Sequence, residues 1–154
     1  MRIDRVAFWI GSSLVLFLLA SLALYLFVPR SLARTVLSFP EDITGKLVPE
    51  VRFLPFTWEE EHNVRLLVNE VVLGPARHNH QRLFSRQASV RSVLVRSGVI
   101  YVDLEKASFI PDPDVLYSPQ RSLDVLEKTV LDNFRNLSSV QISVDGLQPL
   151  DKSR

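Results

Sequence analysis

From Val51 onward the apolar residues fall into short periodic runs, each closed by turn residues. "VRFLPF" (Val51–Phe56) reads as a strand, with Pro55 suited to a strand end or an edge. "TWEEEHNVRLLVNEVVLGP" follows. Val64, Leu67, Val68, Val71 and Val72 recur there at helical spacing. Thr57 and Glu60 have the spacing of a capping box, and Glu59, Glu60 and Glu61 suit the positive end of the helix dipole. Gly74 and Pro75 close this helix.

"SVRSVLVRSGVIYVDLE" (Ser89–Glu105) predicts a hairpin turning at Ser97-Gly98. Ile100, Val102 and Leu104 share one face, with Tyr101 and Asp103 on the other. "FIPDPDVLY" reads as a loop. Ser118-Pro119 starts a second helix, whose stripe is Leu123, Leu126, Val130, Leu131 and Phe134. A last strand, Val140, Ile142 and Val144, ends at the turn Asp145-Gly146. The order strand, helix, strand, strand, helix, strand predicts an α+β fold: one small sheet with both helices on one face. Val68, Val71, Ile100, Val102, Val130, Phe134, Ile142 and Val144 are the expected common core.

Before this domain lies an uncharged run, Val6–Val28, long enough as a helix to span about 30 Å of hydrocarbon. Trp9 and Tyr25 stand near its ends. A cleaved signal peptide and a buried core helix are the competing readings; the run is longer than the usual apolar core of a leader. The chain thus divides into a cytoplasmic tail (1–5), a transmembrane anchor (6–28), a linker (29–50) broken by Pro29, Pro40, Gly45 and Pro49, a domain (51–150) and a tail (151–154). Arg2 and Arg5 before the span nearly balance Arg30 and Arg34 after it. The short amino-terminal tail favours a cytoplasmic start, which puts the domain outside the cytoplasmic membrane.

These residues resemble the GerMN domain family of bacterial sporulation and germination proteins and some envelope lipoproteins. The resemblance covers about Val51 to Pro149. Its marks are "LLVNEVVLGP", "VRSVLVRSGVIYVDLE" and "SVQISVDG". "LEKTVLDNFRNL" matches less closely, and "FSRQASV" stands where the family often has Pro-Gly before the hairpin. The resemblance implies a non-enzymatic envelope domain that supports assembly or binds a partner.

Composition narrows the chemistry. The net charge of +1 among 154 residues argues against a nucleic-acid binder. The absence of cysteine rules out a lipid-anchored cysteine. With five glycines and neither Gly-x-Ser-x-Gly nor Ser-x-x-Lys, no phosphate loop or serine nucleophile is marked. No catalytic residue, metal or cofactor is expected. His78-x-His80 lacks nearby Cys, Asp or Glu to complete a metal site. Asp112-Pro113-Asp114 suits calcium, acid/base work or, more simply, a turn.

The stretch Gly74–Ser92 contains Arg77, Arg82, Arg86 and Arg91 and no acid. With Arg96 these are the candidate contacts to an anion or a partner, since guanidinium forks match phosphate and carboxylate. Gly74, Pro75, Gly98, Asp145 and Gly146 are the structural motif positions. The stretch reads first as a connector, with a short helix near Gln81–Arg86 as an option. The expected partners are the cytoplasmic membrane, other envelope proteins and a cell-wall polymer. A binding and assembly module is the first reading. Its rival is a domain binding an anionic ligand or polymer through residues 77–96. A third is a hydrolase with carboxylates that spacing does not reveal. An assembly module should carry an apolar or strand-edge patch; a polymer binder should carry a basic cleft with Tyr101, Tyr117 or Trp58 exposed in it.

Overall fold

The structure is a computed structural model that describes residues 2–27 and 32–147, with side chains over 8–24 and 32–147. The chain divides into two compact units, 1–31 and 32–154.

The first unit is helix α1, Arg2–Phe27. Its described side chains are apolar or small and face outward; Phe8, Trp9, Leu14, Phe17 and Leu18 are all exposed. Among the described residues no helix is long and apolar enough to cross a membrane. The expected transmembrane helix is corrected on this finding. The end of that expected span at Val28, residues 29–31 of the linker, and the tail 151–154 lie outside the described residues.

The second unit holds β1 (Leu32–Pro40), β2 (Leu47–Pro55), α2 (Glu60–Leu73), β3 (Val90–Arg96), β4 (Val99–Leu104), a 3-10 turn at Lys106–Phe109, α3 (Pro119–Asn133) and β5 (Ser139–Val144). They make two sheets rather than the expected one. β1 and β2 pair antiparallel; β3, β4 and β5 form a second sheet, with β4–β5 parallel. The helices touch each other and both sheets: α2 packs on β3 and β2, α3 on β5 and β1.

The extra strand lies where a linker was expected. Thr35, Leu37 and Phe39 alternate inward along β1 and are buried. Prolines do not prevent this, because in a two-stranded sheet each strand has a free edge on which a missing donor costs nothing. The free edge of β1 is closed in part by Asn133. Its Oδ1 accepts from the Val36 N–H at 3.0 Å, and its Nδ2 donates to the Val36 carbonyl at 2.8 Å. The outer edge of β3 is closed the same way by α2: Arg65 donates to the Val93 carbonyl and Glu61 accepts from the Val95 N–H.

The core holds Val68, Val71, Ile100, Val102 and Val130, all essentially inaccessible. Phe134 and Ile142 are only partly buried against it, and Val144 lies outside it. Leu37, Phe39, Leu83 and Phe84 complete the core from segments expected to be linker and loop.

The capping box is replaced. Helix α2 begins after Glu59, with no side-chain cap. Asn63 instead ties the preceding turn, accepting from the Thr57 N–H at 2.9 Å and donating to the Thr57 carbonyl at 2.8 Å. The two-residue turns stand where the alternation ends: Ser97 and Gly98 both have positive φ (52° and 76°), as do Asp145 and Gly146 (52° and 75°).

Candidate functional site

Gly74 is where α2 ends and the basic stretch begins. Its φ is +96°, and a Cβ there would come within 2.9 Å of the Arg82 guanidinium. The last turn of α2 contains no basic residue of its own. Two arginines from elsewhere serve its carbonyls, where cations are favoured. Arg82 donates from Nη2 to the Val72 carbonyl and from Nε to the Phe84 carbonyl, each at 3.3 Å. Arg52, on the inner face of β2, donates from Nη2 to the Gly74 carbonyl at 2.7 Å and from Nη1 to the Glu70 carboxylate.

Glu50 completes this knot. It is buried, and its Oε1 accepts from Arg52 Nε at 2.9 Å and from the Ala76 N–H at 3.2 Å. Burial works to raise its pKa, but those bonds and the charges of Arg52 and His80 outweigh it and hold Glu50 below the usual carboxylate range. Its other oxygen lies 3.5 Å from Nδ1 of the buried His80, within ion-pair reach but not aligned as a hydrogen bond. His78, by contrast, is exposed. The two histidines therefore part company, and among the described residues no three His, Cys, Asp or Glu side chains are grouped to hold a metal.

The stretch 74–92 runs as bends, turns and isolated bridges, without the optional helix. Arg86 pairs with Asp114, through Nε at 3.0 Å and through Nη2, and its N–H donates to Asp112 at 2.9 Å. Asp112 also accepts from the Asp114 N–H at 3.0 Å, which is the turn chemistry open to Asp-Pro-Asp. The bonds from the N–H groups of Arg86 and Asp114 are the chief reason that Asp112 stays below its ordinary pKa. Arg91 reaches Asp145 and, at 3.6 Å, Asp103. Arg77 and Arg96 are exposed, and among the described residues neither has an acidic partner. Of the five candidate arginines, one therefore caps a helix and two are in ion pairs. Gly74, Pro75, Gly98, Asp145 and Gly146 all stand at element ends or turns.

A cleft of about 700 Å³ opens against the basic stretch, lined by Arg77, His78, His80, Arg82, Arg86 and the acids Asp42 and Asp114. None of Tyr101, Tyr117 or Trp58 lines it. Tyr117 is buried, with its hydroxyl donating to the Gly45 carbonyl at 2.5 Å and the Arg121 guanidinium 4.0 Å above its ring.

A second surface escaped the sequence reading. β1 and β2 pair Leu32 with Pro55, Arg34 with Phe53 and Val36 with Val51, so these side chains share one face. That face looks to solvent: Leu32 is 62% exposed and Phe53 63%. Phe56 and Trp58 continue beyond the end of β2, with Trp58 98% exposed. The available signal was the alternation Val51, Phe53, Pro55, which leaves Glu50, Arg52 and Leu54 for the opposite face.

The Germane family, described as sporulation and spore germination, matches residues 27–151. The chain belongs to the Germane family. The solved first GerMN domain of the sporulation protein GerM from Bacillus subtilis has a similar fold, with a TM-score of 0.52 at 14% identity, covering 76% of this chain and 86% of that one. The tandem GerMN domains of the same protein give 0.52 at 13% identity, over 79% of this chain and 43% of that one. No curated protein sequence matches significantly. Family membership places this Germane domain among sporulation and spore germination proteins.

Proposed function

We propose that this Germane chain is a binding and assembly module of the bacterial cell envelope, without catalytic activity, working on the outer side of the cytoplasmic membrane. Its partner in this reading is another envelope protein with an apolar surface, and nucleic acid is not a partner. The observation that carries the reading is the solvent-facing apolar side of β1–β2 with Phe53 at its centre. A contiguous exposed patch of this kind on a small domain marks an interaction surface. The exposed apolar side chains of α1 support an association with the membrane. The family match supports a role in sporulation or spore germination.

The rival reading, an anionic ligand or cell-wall polymer held by residues 77–96, draws support from the free guanidinium of Arg77 in the basic cleft. It is the weaker one, because Arg82, Arg86 and Arg91 are engaged within the domain and the cleft offers no exposed aromatic.

The test places a photo-crosslinking residue at Phe53 or Trp58 in intact cells, with Gln141 on β5 as the control position. One envelope protein should be captured from both positions and not from the control. If position 53 captures nothing while Arg77 captures polymer, the rival reading replaces this one.

A further inference from the structure

A separate cavity of about 340 Å³ lies between the 3-10 turn, the loop 109–117 and the start of α3. Its walls are apolar, with Phe109, Ile110, Val115 and Tyr117 among them. Ser108 and Ser122 are also among the lining residues. Both residues are buried, 1% and 0% exposed, and among the described residues neither hydroxyl has a hydrogen-bond partner.

Their backbone N–H groups are both occupied. The Ser108 N–H donates to the Glu105 carbonyl at 2.9 Å, and its own carbonyl accepts from the Ser85 N–H at 3.1 Å. The Ser122 N–H donates to the Ser118 carbonyl at 3.0 Å. The side-chain oxygens, in contrast, have no partner among the described residues. A buried hydroxyl left unpaired is costly, and alanine would fill the same place without that cost. Two such groups on one apolar cavity make the pattern of a ligand site: greasy walls and a few polar atoms that fix orientation. The volume is at the lower end of the roughly 300–1,000 Å³ found for such sites, which suits a small molecule.

Charge selects further. The ionisable group on the lining is Asp112, whose carboxylate already accepts two backbone N–H bonds and would repel an anion. The nearby guanidinium of Arg121 is bound to the Tyr117 ring and hydroxyl. The Tyr117 hydroxyl is itself spent on Gly45.

We propose that this cavity binds a small uncharged organic ligand with an apolar body and a hydrogen-bonding head of the carboxamide or alcohol type, held by the hydroxyls of Ser108 and Ser122. The site is independent of the β1–β2 face, and it stands whether or not that face docks a protein.

The test titrates the full chain with benzamide, toluene and benzoate, following backbone amide signals by NMR. Benzamide should shift Ser108, Ile110 and Ser122 with a millimolar dissociation constant. S108A and S122A should each weaken benzamide roughly threefold to tenfold while leaving toluene within about twofold. V115F, which shrinks the cavity, should remove both ligands. The proposal is overturned if benzamide leaves those signals unmoved, or if the alanine variants bind it as tightly as the native chain. It is equally overturned if benzoate binds as well as benzamide, or if V115F keeps both. Should an alanine variant not fold, the titration of the native chain and the benzoate comparison still decide.

Discussion

Phe39→Ala tests whether β1 is part of the domain or a strap lying on it. The ring is inaccessible to solvent, packs with Leu37 and other core residues, and has the Arg52 guanidinium 5.7 Å from its centre. Truncation forfeits the transfer energy of the ring and leaves a cavity, together about 3–5 kcal/mol for a buried phenylalanine. Loss of the cation contact adds about 0.5–1 kcal/mol. A domain of this size has about 5–15 kcal/mol in total, so about a quarter or more of its stability is at stake. The melting temperature should fall by roughly 10–25 °C. Urea and thermal unfolding of residues 32–154, followed by circular dichroism, measure it. Phe134→Ala is the comparator, since Phe134 is only partly buried and should cost about half as much. A loss below about 1 kcal/mol at Phe39, or a larger one at Phe134, would refute the packing described here and return Leu32–Pro40 to the status of a connector.

Other outcomes follow from the same contacts. Glu50 has a lowered pKa when folded, so its contribution is complete above the unfolded value near 4.3 and is lost as pH falls through the lower folded value. The urea midpoint should therefore drop on acidification in the native chain and change less in Glu50→Gln. Asn133→Ala leaves the Val36 N–H and carbonyl without their partner and should cost about 1–3 kcal/mol by denaturant titration. Phe53→Ser should leave stability within about 0.5 kcal/mol, since the side chain is exposed, yet abolish capture of the partner at position 58. Deleting residues 1–31 should release the chain from the membrane fraction of cell lysates.

Helix α2 and the β3–β4 hairpin were readable because each repeats one period long enough to exclude the other, and a two-residue turn fixed the hairpin register. β1 was hidden by the prolines around it, which mark loops when read along the chain and harmless edge positions once the partner strand is known. Leu83 and Phe84 reach the core from bends rather than from a helix, so no period announces them. The arginines show the larger limit. Composition revealed a basic stretch. It held no information on Arg82 turning back to a helix end, or on Arg91 meeting Asp145. The orphan hydroxyls of Ser108 and Ser122 were equally invisible, since serine is common and only packing says which ones lose water.

The clasp of Val36 by Asn133 joins residues 97 positions apart, and this has a consequence for synthesis. At about 5–20 residues per second, the ribosome needs roughly 5–20 s to deliver Asn133 after Val36 has emerged. The β1–β2 hairpin can close within about 1–10 µs and, being two-stranded, is marginal alone. For those seconds the nascent chain shows Leu37 and Phe39 on one side and Val51 and Phe53 on the other, with open edges. Pro40, Pro49, Pro55 and Arg34 then act as guards, since proline and charge on an edge discourage pairing with a stranger. The residues that disguised β1 as a linker keep it single until its partner is translated.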